Sequence, residues 1–144
     1  MGRIIAIANQ KGGVGKTTTS INLSSCLAEK GKKVLAIDLD PQGNMTSGLG
    51  VDKDVVDNTV YELMLGECTI RESIIQTEFE NLSVIPSNVN LAGAEIELHG
   101  INDKEYILKT AVDYIKDDYD FIIIDCPPSL NMLTVNAMTT ADTV

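Results

Sequence analysis

Lys11-Gly12-Gly13-Val14-Gly15-Lys16-Thr17-Thr18 puts two lysines, three glycines and two hydroxyls into eight residues. That set suits a polyphosphate. Glycines let backbone N–H groups close on an anion with no Cβ in the way. A helix N-terminus adds its partial positive charge at the same point. Lys16 is placed to reach the β- and γ-phosphates of a nucleotide, and the Thr17 hydroxyl to ligate Mg²⁺. The apolar run Ile4-Ile5-Ala6-Ile7-Ala8 precedes the loop and an apolar-periodic segment, Ile21 to Ala28, follows it. The order is strand, glycine loop, helix, which is the context a phosphate cradle needs. A glycine-rich turn with surface lysines is the plain alternative, and that context counts against it. The usual loop has a glycine where this chain has Gln10. A second lysine, Lys11, stands before Gly12-Gly13 instead.

Phosphoryl transfer to water also needs acids. Phe121-Ile122-Ile123-Ile124-Asp125 is an apolar strand ending in a carboxylate suited to holding Mg²⁺ through water. Parallel α/β sheets gather ligands at that end of their strands. A turn opening before Pro127-Pro128 explains the same aspartate without excluding the metal role. Asp38-Leu39-Asp40 closes a second apolar strand. The two acids are two residues apart, so an extended chain puts them on one face. They would repel unless a metal or lysine lies between them. One of the pair is suited to orienting the attacking water, because hydrolysis of this kind is mostly positioning and charge stabilisation.

Strands are expected at 3–8, 33–38, 82–86 and 121–125, and helices at 16–30, 59–65, 70–75, 91–98, 102–117 and 130–140. Residues 39–58 read as a long functional loop with one short helical turn. Asn102 and Glu105 have capping-box spacing. Leu108, Ala111, Val112 and Ile115 then mark one helical face. Apolar strands alternating with helices predict a doubly wound, mostly parallel α/β sheet covered on both faces. The expected organisation is one domain over 1–144, with 141–144 resembling the start of a further strand. A sheet cut short there should expose backbone edge groups and favour self-association.

The net charge is −10, from 21 acidic and 11 basic residues, and no basic stripe for nucleic acid is visible. Lys30, Lys32 and Lys33 fit a helix end and a solvated turn. No apolar run reaches the roughly 20 residues of a membrane helix. Cys26, Cys68 and Cys126 lack the spacing of a zinc site or a disulfide framework. Cys26 fits a helix core face and Cys126 a small buried apolar position. His99 reads as a loop residue.

The loop Lys11 to Thr18 resembles the deviant Walker A P-loop of the ParA/MinD superfamily of dimerising ATPases. Asp38-Leu39-Asp40-Pro41-Gln42-Gly43-Asn44, running on to Gly50, is similar to the first switch of ParA/Soj-type partition ATPases. Asp125-Cys126-Pro127-Pro128-Ser129-Leu130 is similar to their second metal motif. The resemblance covers essentially the whole chain. It implies a P-loop ATPase fold and ATP with Mg²⁺ as cofactors. Catalytic roles are implied for Lys11, Lys16 and Asp40: Lys11 reaching a partner's phosphates across a nucleotide-sandwiched homodimer, Lys16 neutralising its own, Asp40 orienting water. Nucleotide binding falls to Lys11, Gly12, Gly13, Val14, Gly15, Lys16, Thr17 and Thr18, and the metal to Thr17, Asp38 and Asp125. A ParB-type activator, a cytoplasmic and nucleoid-associated location, and nonspecific DNA binding through sequence beyond residue 144 are further implications. Plasmid or chromosome partitioning is the implied function. A MinD-like or cargo-positioning ATPase acting on membrane or a protein scaffold stays open beside it. Lys11 argues against a metabolic ligase on the same fold, since a lysine offered in trans implies a switch dimer.

Overall fold

The computed structural model describes residues 2–8, 14–52, 56–128 and 131–143, with the main chain alone at 14–17 and 95. Four strands form where apolar residues run unbroken: β1 (Arg3–Ile7), β2 (Val34–Asp38), β4 (Leu82–Ile85) and β5 (Phe121–Asp125). A short β3 (Ile75–Gln76) completes a sheet of order β1-β5-β2-β4-β3. All pairings are parallel except β3 with β4.

Parity divides the strand residues between two cores. Val34, Ala36, Leu82, Val84 and Ile123 pack with Ala28 of α1 (Val14–Glu29) and Met45 of α2 (Asn44–Gly48). Leu35, Ile37, Ile85, Ile122 and Ile124 face the opposite layer. That layer holds α3 (Val60–Met64), α4 (Ile70–Ser73), α5 (Ala94–Leu98), α6 (Ile107–Asp113) and α7 (Met132–Thr140). A sheet buried on both faces explains why β2 and β4 carry no exposed residue. On the first face α2 lies against α1 at glycine range, because a Cβ at Gly48 would collide with the Ile21 side chain.

Thr59 caps α3 as the sequence suggests, in a capping box with Glu62, and Thr69 with Glu72 repeats the device at α4. Four expectations change. The helix from Ile70 stops at Ser73, and Ile75 pairs with Val84 as an antiparallel edge strand. The segment expected as one helix over 91–98 opens as a 3-10 turn, Val89–Gly93, before α5. The helix expected from Asn102 begins at Ile107, because Asp103 adopts the left-handed region (φ 56°) and no side chain of its own turn caps it. The cap comes from α7: Asn136 Oδ1 accepts from Leu108 N–H at 3.0 Å, and its amide nitrogen donates to the Lys104 and Met132 carbonyls, each at 2.9 Å. Cys26 is exposed rather than in the core, while Cys126 is buried.

The chain after α7 returns to the outer side of β1. Thr143 bridges Ile5 in parallel, Ala6 N–H donates to the Thr143 carbonyl at 2.8 Å, and Ile4 N–H donates to Asp142 Oδ2 at 2.9 Å. Asp142 and Thr143 N–H groups donate to the Ile4 carbonyl. Both backbone groups of Ile4 and the N–H of Ala6 therefore have partners, and the further strand expected to start at 141–144 begins here as a bridge beside β1.

Candidate functional site

Three strands end level with one another. Ile7 is in register with Asp125, and Asp125 with Asp38. The ladder continues one step beyond, with Leu39 N–H donating to the Asp125 carbonyl at 2.9 Å and Cys126 N–H to that of Ile7 at 3.1 Å. Equivalent positions on neighbouring parallel strands point to the same side, and parity assigns that side to α1 and α2. Two fully buried carboxylates, Asp38 and Asp125, thus stand side by side at the carboxyl edge of the sheet.

Each acid is anchored differently. Asp125 Oδ1 accepts from the Ser20 hydroxyl at 2.8 Å. Ser20 is buried on α1, one helical turn beyond Lys16 and Thr17, so the helix that carries the glycine loop is tied directly to β5. Asp38 accepts from Asp40 N–H at Oδ1 (3.0 Å), and from both Thr46 N–H (2.9 Å) and the Thr46 hydroxyl (2.6 Å) at Oδ2. Burial pushes the Asp38 carboxyl up to about 7, and Asp125 adds to the rise. The donors from Thr46 and Asp40 oppose it.

The acid that faces Asp38 electrostatically is therefore Asp125 on the adjacent strand. Asp40 contributes its peptide group to Asp38 and keeps its own carboxylate for the turn, where Oδ1 accepts from Gln42 N–H at 3.0 Å. Gly43, in the left-handed region at φ 65°, donates to the Asp40 carbonyl at 2.8 Å and starts α2. A β-branched residue could not turn the chain there without strain.

Among the sequence-derived candidates, Asp38, Asp40 and Asp125 converge at this edge. Thr18 sits exposed near the start of α1. The main chain of Val14, Gly15, Lys16 and Thr17 forms the first turn of α1. Lys11, Gly12 and Gly13 lie outside the described residues, as do the side chains of Val14 to Thr17. Ser20, Thr46 and Ser87 are site residues the sequence reading passed over. Ser20 was signalled only by its helical spacing from Thr17. The donors gathered here are carboxylate and hydroxyl oxygens, and hard oxygen donors with one or two carboxylates match the preferences of Mg²⁺. The first turn of a sixteen-residue helix beside them suits an anion.

The AAA domain family model matches residues 2–144. The chain is 56% identical over 144 residues to the sporulation initiation inhibitor protein Soj of Bacillus subtilis, covering 100% of this chain and 57% of that protein. It is 49% identical to the chromosome partitioning protein ParA of Myxococcus xanthus, covering 100% of this chain and 51% of that protein. A solved structure described as cobyrinic acid a,c-diamide synthase from Mycobacterium smegmatis, with a bound ATP analogue and magnesium, superposes with a TM-score of 0.93 at 45% identity, over 98% of this chain and 57% of that one. The chain spans about half the length of the curated relatives it matches.

Proposed function

The chain belongs to the AAA domain family, and from that membership we propose that it forms the phosphate-binding part of a ParA/Soj-type partition ATPase. It would bind ATP with Mg²⁺, hydrolyse it slowly, and use the nucleotide state as a dimerisation switch in plasmid or chromosome segregation. The observation that carries this reading is the level pair Asp38 and Asp125 beside the first turn of α1, tied to it through Ser20.

Lys16, with the N–H groups of the loop and helix start, would bind the phosphates and offset their charge. Thr17 and Asp125 would hold the metal, Asp125 through water, with Thr18 at the α-phosphate. When bound, Mg²⁺ neutralises charge on the phosphate oxygens. The Ser20 hydroxyl fixes the orientation of the Asp125 carboxylate. Asp38, with three protein donors of its own, would support the site from behind by organising residues 40–46. Asp40 would orient the hydrolytic water, and Lys11 would act on the nucleotide of a second copy. A ParB-type protein would accelerate turnover. The partition names of relatives support this assignment over a membrane or scaffold role.

Calorimetric titration of the full-length protein with ATP and Mg²⁺ tests the nucleotide reading. Wild type should bind, and Lys16→Ala should lose binding. Near-equal affinity of the two would refute the phosphate assignment. Turnover raised by DNA together with a ParB-type protein supports partition, and turnover that instead requires a carboxylic acid and an amine donor would replace it with ligase chemistry.

A further inference from the structure

Asp40 is held by a closed ring of hydrogen bonds drawn from three separate stretches of chain. Its peptide N–H donates to Asp38 Oδ1 at 3.0 Å, and its carbonyl accepts from the Ser87 hydroxyl at 2.7 Å. Ser87 N–H in turn donates to Thr46 Oγ1 at 3.0 Å, and that hydroxyl gives its single proton to Asp38 Oδ2 at 2.6 Å. The ring runs Asp38, Asp40, Ser87, Thr46 and back to Asp38. It joins the end of β2, the first half of α2 and the connection after β4. Asp38, Thr46 and Ser87 are fully buried and Asp40 nearly so.

Packing alone does not call for this arrangement. Valine has the shape of threonine, and alanine at 87 would remove a buried hydroxyl that would otherwise need a partner. The ring holds the two peptide units that flank the Asp40 Cα, one through the Asp40 N–H and the other through the Asp40 carbonyl. The same carbonyl accepts from Gly43 N–H, and the Asp40 carboxylate accepts from Gln42 N–H. Main chain and side chain of Asp40 are thereby fixed together.

We propose that Thr46 and Ser87 are positioning residues for hydrolysis, setting where the Asp40 carboxylate stands without touching nucleotide themselves. The inference rests on the reading of Asp40 as the water-orienting acid. Reactions governed by orientation are sensitive to such support, and a shift on the order of 1 Å can cost about 100-fold in rate.

The test compares Ser87→Ala, Thr46→Val, Thr46→Ser and the Ser87→Ala/Thr46→Val double variant in the full-length protein, with ATP affinity, kcat and melting temperature measured for each. Affinity should stay within about twofold of wild type, since the ring holds Asp40 and takes in no residue of the glycine loop or the first turn of α1. The first two variants should each lose about tenfold in kcat, the equivalent of one buried hydrogen bond. Thr46→Ser, which keeps the hydroxyl, should recover most of that loss. The double variant should lose less than the product of the single losses, as members of one network do. Should Thr46→Val fail to fold, Ser87→Ala carries the test alone, with faster hydrogen exchange expected at the Gly43 amide. Variants that bind ATP and turn over at the wild-type rate overturn this inference and leave the proposed function standing. Loss of kcat matched by an equal loss of affinity also overturns it, because the role is then structural. A wild-type protein that binds no ATP overturns the proposed function and this inference with it.

Discussion

Burying Asp38 should make the protein less stable as pH rises from acid to neutral, the reverse of the usual carboxylate behaviour. Its carboxyl is raised from an ordinary 3.8 to about 7 by burial, with Asp125 adding to the effect. Between those values the unfolded chain has released the proton and the folded chain still holds it. Stability then falls with pH at roughly 1.4 kcal/mol per pH unit. Full development of the difference amounts to about 4 kcal/mol, complete above pH ~7 and absent below pH ~4. Other titrating groups contribute their own slopes, so the measurement is a difference. Urea unfolding of wild type and Asp38→Asn is followed from pH 4 to pH 8. The asparagine leaves at least one of the Asp40 and Thr46 donors without its acceptor, which gives a constant offset and no slope. Wild type minus variant should decline steadily across the interval and level off above it. A flat difference would refute the reasoning, and would mean that Asp38 is ionised throughout and that its three donors outweigh its burial.

Asp40→Ala should bind ATP and dimerise with near-normal affinity while kcat falls by at least about 100-fold, since a water-orienting acid acts mainly in the transition state; steady-state turnover beside equilibrium titration checks this. Lys11→Ala should retain ATP binding and lose both ATP-dependent dimerisation and turnover, read by light scattering with and without nucleotide; a variant that dimerises normally would remove the trans role. Asn136→Ala should destabilise the protein by about 1–3 kcal/mol, because it strips the cap from α6 and leaves the Leu108 N–H and two carbonyls short of partners. Thermal or urea unfolding measures that loss.

The strands were legible because β2, β4 and β5 are buried on both faces and therefore apolar at every position but the site acids and Ser83. Asp125 was legible for the same reason, as a charge ending a run that otherwise excludes charge. Thr59 announced α3 through purely local chemistry. What escaped was set by partners distant in sequence. The start of α6 depends on Asn136, 28 residues ahead of Leu108. β3 is two residues long, and its local pattern is that of the helix it follows; only the neighbouring β4 makes it a strand. In the site, Thr46 and Ser87 look like ordinary loop hydroxyls until the fold brings them together across 41 residues. Spacing along one strand places Asp38 and Asp40 together, and the register of the next strand, which spacing cannot express, adds Asp125 beside Asp38.

The margins of the sheet bear on how this protein behaves in a crowded solution. At the β1 margin, residues 142–143 engage both backbone groups of Ile4 and the N–H of Ala6. At the other, β3 offers two residues, and Gln76 turns its amide inward to the carbonyls of Thr77, Phe79 and Leu82. β3 is too short to offer a long straight template on which another chain could lay a strand. Encounters by strand addition are discouraged at that edge.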